Sequence, residues 1–219
     1  MVRNPQPVVP GQPGVPGFSG TTPEEEQSVR RRILEAMVST VAERGYQDTD
    51  VVDVIGRAGV SPGAFAELYS DKEECFVEAI DDAVASLERE VVRACAGVSS
   101  WPDRVRVGLR AFLSVVEANP ARARLAMVES SQAGPAATER FRRAFQLFVP
   151  YFDEGRQQVG HDLPAPMSDA VVGGIALTVQ RRVADGDGSD GLGDLLPDLV
   201  YFALVPYLGH RRAYALAAS

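Results

Sequence analysis

A single lysine is the residue of this sequence whose position points most directly to a chemical role. Of the 22 basic residues, 21 are arginines, and the only lysine is Lys72. Ser70 can cap a helix here, with Glu73 at its third position, so Lys72 falls in the first turn. A positive charge at this end opposes the helix dipole, whereas a lysine beside free backbone N–H groups suits phosphate. Lys72 is therefore a candidate phosphate ligand, and an ordinary surface charge is the alternative.

Four arginines could extend a phosphate-binding surface. Arg30, Arg31 and Arg32 form the only basic run of the N-terminal region. Three consecutive residues fan over about 200° of a helix, so at most two of them can face one partner. For this run, attraction of a polyanion and a solvated helix face both remain open. Arg57 also has two interpretations, a phosphate contact or an ion pair with a nearby acid such as Asp53, four residues earlier.

Residues that could support catalysis or hold a metal are scarce. The sequence has two histidines, His161 and His210, and lacks the Cys-x-x-Cys, His-Glu-x-x-His and Gly-x-Ser-x-Gly motifs. The loop at 185–191 lacks the sixth-position glycine and the twelfth-position glutamate of a calcium loop. Cys75 and Cys95 would lie about 30 Å apart in one helix, which favours reduced thiols in the cytoplasm. We expect no enzyme, no metal site and no cofactor.

Length and composition describe an acidic globular chain. The protein has 219 residues, of which 45% are hydrophobic and 24% charged, and its formal net charge is -8. No apolar run approaches the roughly 20 residues of a membrane-spanning helix, so no membrane partner is expected. The negative charge argues, at first sight, against a nucleic acid, whose phosphates attract clustered Lys and Arg. Residues 22–78 are the most acidic part, with six basic and 13 acidic side chains.

Capping residues and apolar spacing predict an all-α fold of about nine helices. After a flexible Pro/Gly-rich tail at 1–21, the first helix begins at Thr22 and ends at Gly45. Two short helices at 50–59 and 61–68 are joined by a glycine-containing turn, which is the helix-turn-helix pattern. Further helices are predicted at about 70–97, 101–118, 120–131, 135–158, 167–184 and 193–208. We expect one domain at 22–78 and a larger one at 79–219.

Residues 50–76, DVVDVIGRAGVSPGAFAELYSDKEECF, resemble the TetR family of bacterial transcriptional regulators. The matching elements are the Ala58–Ser61 turn, Gly63 and Phe65 in the third helix, Tyr69, and the Asp71–Glu73 opening of the fourth helix. Together with the first helix, the resemblance covers about 55 residues. It implies a homodimer whose N-terminal helix-turn-helix reads an operator and whose C-terminal helices bind a small molecule and dimerise.

The resemblance also implies which residues contact double-stranded DNA. Small residues at the start of the third helix let its backbone approach the major groove, and the family's lysine at the Lys72 position touches the DNA backbone. Ala66 stands where the family usually carries a phosphate-contacting tyrosine, and Pro62 and Glu67 replace frequent polar or basic residues. The predicted DNA-binding set is Arg57, Ser61, Pro62, Gly63, Ala64, Glu67, Tyr69 and Lys72.

An aromatic stripe in the predicted helix at 135–158 is the best candidate for a small-molecule site. Its phenylalanines recur at helical spacing: Phe141, Phe145, Phe148 and Phe152. Such a stripe is more often filled core than cavity, but Pro150 can kink the helix and open space in a bundle. For a cavity we predict a hydrophobic or aromatic effector and the lining residues Trp101, Phe112, Met127, Phe145, Phe148 and Tyr151.

The last two predicted helices have the composition of a dimer interface. The helix at 167–184 offers small residues and the helix at 193–208 offers apolar bulk. The resemblance implies that they pair with their two-fold mates as a four-helix bundle, and burial inside the same chain is the alternative. The predicted interface residues are Val171, Gly174, Ile175, Thr178, Leu199, Phe202 and Ala203.

Two hypotheses follow from these observations. The first is a cytoplasmic, ligand-responsive regulator, expected to be a repressor, that binds a palindromic operator as a homodimer and is released by a small hydrophobic molecule. The second is an all-helical small-molecule-binding protein with weakened or lost DNA binding, motivated by Ala66 and by the net charge of -7 over residues 22–78. Saturable, salt-sensitive binding to a palindrome would separate them.

Overall fold

The computed structural model describes residues 22–159, 162–186 and 191–218. The predicted tail at 1–21, His161 and part of the 185–191 loop lie outside the described residues. The described part is all-α, as predicted, and contains no strand. The α-helices are α1 Pro23–Arg44, α2 Val51–Ala58, α3 Pro62–Leu68, α4 Lys72–Cys95, α5 Trp101–Ala118, α6 Pro120–Met127, α7 Pro135–Gln146, α8 Val149–Gln158, α9 Met167–Ala184 and α10 Leu196–Ala217. Two 3₁₀ helices lie at Glu129–Ser131 and Leu192–Leu195.

The helix predicted at 135–158 is two helices, α7 and α8. They separate at Leu147 and Phe148, just before Pro150, which stands in the first turn of α8 because it has no N–H to donate. The helix predicted at 120–131 ends as α6 at Met127 and continues as a 3₁₀ turn. The last helix runs past its predicted end and bends at Gly209, where φ is 72°.

Local capping groups fix the beginnings of the N-terminal helices. Thr22 and Glu25 form the predicted capping box of α1. Ser61 caps α3, because its Oγ accepts the Ala64 N–H at 3.1 Å. At α4 the predicted capping box of Ser70 and Glu73 does not form, and the cap is one residue later. Asp71, rather than Ser70, is the cap, and its carboxylate accepts the Glu74 N–H at 2.8 Å.

Two hydrophobic cores lie along α4, which is about 36 Å long. The beginning of α4 contributes Phe76 and Ile80 to a core with α1, α2 and α3. Its end contributes Val91 to a second core, built mainly from α5, α9 and α10. Leu125 of α6 and Ala137 of α7 belong to the first core. The C-terminal part of the chain is therefore packed directly against α1 and the beginning of α4.

The segment Leu192–Ala217 is long and apolar enough to cross a membrane by length and composition, with a mean hydropathy of 1.2 over its best window. Six of its residues after Leu192 are nevertheless buried in the second core: Leu199, Val200, Ala203, Leu204, Tyr207 and Ala213. A core helix passes the same length and composition test, so this segment is weak evidence for a membrane span.

Candidate functional site

The outer surface of α3 is smooth and carries few charges. Ser61, Pro62, Gly63 and Glu67 are exposed, and Ala64 is half-buried. The turn before α3 closes at Gly59, which has the left-handed conformation with φ 63° and ψ 42°. With no large side chain at its N-terminal end, α3 can bring its backbone close to a partner surface. Five residues of the predicted DNA-binding set therefore share one accessible helix.

Tyr69 requires a correction, because it is buried rather than available to DNA. Its side chain is 2% exposed, and its ring packs against Phe65 with centroids 5.4 Å apart. The Arg30 guanidinium lies 5.9 Å from the ring centroid. Burial raises the pKa of the Tyr69 hydroxyl. Tyr69 anchors the end of α3 in the core, and it does not contact a nucleic acid in this conformation.

Lys72 is held by the connection between α1 and α2, a structural role that neither interpretation of its sequence position included. Its Nζ donates to the carbonyl oxygens of Tyr46 and Thr49, at 3.0 and 2.8 Å. The ammonium also lies 4.2 Å from the centroid of the Tyr46 ring, a cation–π contact. The side chain therefore ties the beginning of α4 to the residues that precede α2. A phosphate role for Lys72 would have to be added to this structural one.

The arginines around the helix-turn-helix are largely occupied by partners within the chain. Arg57 forms a two-pronged ion pair with Glu43 of α1, at 2.7 and 2.5 Å, while Asp53 pairs with Arg44 at 2.9 Å. The ion-pair interpretation of Arg57 thus describes the free protein, but with a different acid from the one named. Arg57 keeps its place in the predicted set only if DNA displaces Glu43.

The three consecutive arginines of α1 point in different directions around the helix and have different surroundings. Arg30 pairs with Glu78 of α4 through contacts of 3.0 and 2.9 Å. Arg32 donates to the carbonyl oxygens at the end of α2, those of Ala58 and Gly59, each at 3.3 Å. Arg31 is exposed and has no partner among the described residues. Among the six cations of residues 22–78, it is the one that the described structure leaves uncommitted.

A buried carboxylate, which the sequence analysis did not identify, joins the two parts of the chain. Glu129, 5% exposed, accepts the Tyr46 N–H at 2.9 Å and pairs with Arg124 of α6 at 3.1 Å. Beside it, Gln47 donates to the Gln132 carbonyl at 2.7 Å. Residues 45–49, here called the α1–α2 turn, are thus held from one side by Lys72 and from the other by the 3₁₀ helix after α6.

An apolar cavity of about 70 Å³ lies in the second core, between α4, α5, α8 and α9. Five of the six residues predicted to line a ligand cavity line this one: Trp101, Phe112, Phe145, Phe148 and Tyr151. The Trp101 Nε1–H donates to the Tyr151 carbonyl at 2.7 Å. A Cβ at Gly155 would overlap the Trp101 ring, so the glycine is what lets the indole pack against α8. We call this space the Trp101 cavity.

Met127 requires a correction, because it lines a neighbouring space instead. That second cavity, of about 60 Å³, lies between α4, α5, α6 and α7. It shares Phe145 and Phe148 with the Trp101 cavity. Met127 is near the end of α6, whereas Trp101 is the first residue of α5. We call this space the Met127 cavity.

The predicted dimer residues divide between the core and the surface. Four of the seven are buried within the chain and are corrected on that ground: Val171, Ile175, Leu199 and Ala203. Phe202 is 43% exposed, Thr178 is exposed, and Gly174 is half-buried under the Phe202 ring. Leu177, 47% exposed, belongs to the same surface and was missed. The helices were identified from composition, but the face of each helix depends on a rotation that composition does not specify.

Residues 33–79, from α1 to the first turns of α4, match the family model described as bacterial regulatory proteins, tetR family. They include the whole helix-turn-helix and the Lys72 contacts. Because this match covers the N-terminal part alone, the remaining helices have to be compared through solved structures.

Solved structures resemble the chain over most of its length. A fatty acid degradation regulator, FadR, from Bacillus halodurans matches with a TM-score of 0.71 at 16% identity, covering 87% of this chain and 98% of that one. FadR from Bacillus subtilis, solved in complex with stearoyl-CoA, gives 0.67 at 16%, covering 82% and 98%. A bacterial regulatory protein of the tetR family from Rhodococcus RHA1 gives 0.65 at 21%, covering 82% and 96%. At these identities the similarity establishes the fold.

Proposed function

We propose that this chain is a homodimeric repressor that binds a palindromic operator. It belongs to the tetR family of bacterial regulatory proteins through its residues 33–79. The proposed repressor releases its operator when a small hydrophobic molecule binds the C-terminal helices. We place its action in the cytoplasm. The family supports DNA binding and transcription regulation. One observation supports a coupling between ligand and DNA binding. The helix α4 begins next to the helix-turn-helix, and Val91 near its end lines the Trp101 cavity.

The operator half of the proposal is supported by the shape of α3 and by the cations around it. The exposed start of α3 would enter the major groove, and Arg31, Arg57 and Lys72 would meet phosphates. In a dimer the two α3 helices would have to lie about 34–36 Å apart to reach successive major-groove faces. Any change in the tilt of α4 alters that spacing, because α4 is packed against both α1 and the cavity helices.

The effector half is supported by a route of packed residues from the cavities to the α1–α2 turn. Met127 lines the second cavity, and Glu129 accepts the Tyr46 N–H only two residues later. A ligand can favour the conformation in which the two α3 helices are wrongly spaced for DNA. The largest factor by which it can lower DNA affinity is the ratio of its own affinities for the two conformations. The FadR relative from Bacillus subtilis carries stearoyl-CoA, which fits an effector with a long apolar part.

A second function, ligand binding without DNA binding, is favoured by the occupied cations. Five of the six basic side chains of residues 22–78 are engaged within the described structure, and the segment is strongly acidic. An exposed ion pair contributes only about 0–1 kcal/mol, however, so a phosphate can displace it at small cost. For this reason the DNA-binding proposal is the first and ligand binding alone is the second.

A mobility-shift titration with the DNA flanking the protein's own gene separates these proposals. The first predicts saturable binding that weakens steeply as salt increases and that is reversed by an added apolar effector. No binding at low salt would overturn it and leave the second. Binding that every DNA sequence supports equally would contradict the operator.

A further inference from the structure

The Trp101 and Met127 cavities lie end to end along the groove between α4 and α5. On α4, Val91 lines the first cavity and Leu87, one turn earlier, lines the second. On α5, Phe112 lines the first and Val116, one turn later, lines the second. The end of α4 pairs with the beginning of α5, so the two helices run antiparallel and the opposite orders along the chain correspond to one order in space. The two spaces together therefore describe a narrow, elongated volume.

Two aromatic rings separate these spaces. Phe145 and Phe148 line both cavities, and each is only half-buried. They stand at the break between α7 and α8, where Leu147 is 46% exposed. Pro150 supplies no N–H there, so the helical hydrogen bonds are interrupted. A wall built from half-buried rings on an interrupted helix is more easily displaced than the fully buried core beside it.

The polar groups that line the Trp101 cavity already have hydrogen-bond partners within the protein. Its cationic group, Arg104, is already paired with Glu154 and donates to the carbonyl oxygens of Val98 and Ser99, each at 2.9 Å. The Trp101 indole N–H is satisfied by the Tyr151 carbonyl. Hydrocarbon therefore suits this space better than a polar molecule, whose groups would be buried without partners.

We propose that Phe145 and Phe148 form a movable divider that sets effector length, and that the effector is an unbranched apolar chain. A short chain fills the Trp101 cavity alone. A longer chain displaces the two rings and continues into the Met127 cavity, next to the residues that hold the α1–α2 turn. This inference rests on the proposed function, since it concerns the same effector site. It assigns the choice of ligand length to two named side chains.

The divider is tested by titrating the full-length protein with straight-chain primary alcohols of increasing length. Trp101 is the only tryptophan and lines the first cavity, so its fluorescence reports entry. Each buried methylene increases affinity about fourfold until the available space is filled. In the wild type, the gain in affinity per methylene should become smaller once the alcohol is long enough to displace the Phe145 and Phe148 rings. In the Phe145→Ala/Phe148→Ala variant the gain in affinity per methylene should continue for several more methylenes.

Two further variants keep the test decisive. Leu147→Ala changes the same helix break but lines neither cavity, so it should retain the wild-type length profile. Phe148→Leu keeps apolar bulk and should shift the profile in the same direction by less, which serves if the double variant does not fold. Alcohols that bind with one length profile in wild type and variants would overturn the divider but not the proposed function. Failure of the proposed function would instead appear in the DNA titration, which contains no alcohol.

Discussion

At the residue scale, Lys72 illustrates how a cation can serve the fold where sequence reasoning expects a ligand. Its ammonium binds two carbonyl oxygens and a tyrosine ring that are 23 to 26 residues away in sequence. These partners converge only after α1 and α2 have packed. The sequence pattern correctly identified an unusual position. In the structure Lys72 holds the α1–α2 turn, and any contact with DNA would be made in addition to this role.

Replacing Lys72 by Gln should destabilise the protein as well as weaken DNA binding. Two hydrogen bonds from a charged donor and one cation–π contact are lost, so we expect the free energy of unfolding to decrease by about 1–3 kcal/mol. Urea denaturation followed by circular dichroism measures this change. Lys72→Arg, which keeps the charge and the donors, should lose less. A Lys72→Gln variant as stable as the wild type would show that the clamp contributes nothing.

Replacing Glu43 by Gln should strengthen operator binding. The hydrogen bond from Arg57 lowers the pKa of Glu43, so the carboxylate is ionised at neutral pH and competes with phosphate for that guanidinium. Because this ion pair is exposed, removing it should increase DNA affinity by no more than about fivefold. Fluorescence anisotropy of labelled DNA measures the effect. Glu90→Gln, which frees Arg93 of α4, is the control; equal changes in both variants would point to net charge instead of Arg57.

At the element scale, the joint between α6 and the α1–α2 turn is the feature that sequence reasoning could least have found. The caps of α1 and α3 and the glycine turn at Gly59 were readable because each depends on residues within four positions. Glu129 and Tyr46 are 83 residues apart, and neither belongs to a recognisable motif. Similarly, Met127 was assigned to the wrong cavity because the rotation of α6 about its axis depends on tertiary packing.

Replacing Glu129 by Ala should uncouple effector binding from DNA release. The Tyr46 N–H loses its acceptor and Arg124 loses its partner, which should cost about 1–3 kcal/mol of stability. Effector affinity should change little, because Glu129 lines neither cavity. The ratio of DNA dissociation constants with and without effector should move toward one, as linkage requires when coupling is lost.

Glu117→Ala is the matched control for this joint. Its carboxylate also accepts a backbone N–H, that of Gly191 at 3.2 Å, but this bond joins the end of α5 to the 3₁₀ helix before α10. The control should retain the full ratio of DNA dissociation constants. If Glu129→Ala retains it as well, the joint is a packing contact and not the route of coupling.

At the scale of the whole molecule, the exposed apolar residues of α9 and α10 support the proposed dimer. Leu177 and Phe202 are each more than two-fifths exposed, on the two helices whose other faces close the second core. The composition of these helices could be read from the sequence. Which of their residues are exposed could not, because a shift of one position in an α-helix rotates the face by about 100°.

Replacing Leu177 by Glu should convert the dimer into a monomer. A charge buried in the proposed apolar interface would lose its hydration without gaining a partner, which costs several kcal/mol. Light scattering coupled to size exclusion measures the mass. Val92→Glu introduces the same charge at an apolar residue of α4 that is 49% exposed, and it should leave the mass unchanged. A wild-type chain that is already monomeric at micromolar concentration would defeat the dimer.

The net charge of -8 bears on the central claim through competition within the chain rather than through repulsion alone. Acidic side chains pair with three of the arginines around the helix-turn-helix, so DNA would have to displace these acids in order to bind there. Affinity should therefore be modest, and it should fall with increasing salt in proportion to the number of phosphates that these cations contact.

Anisotropy titration of a labelled duplex from the DNA flanking the gene, across about 50 to 200 mM salt, tests the account most directly. We expect saturable binding by a dimer, with log affinity falling linearly as log salt concentration increases, and with affinity reduced further by the apolar chain that fills the cavities. A flat, unsaturated signal at the lowest salt, from a protein that still binds the apolar chain, would contradict the account.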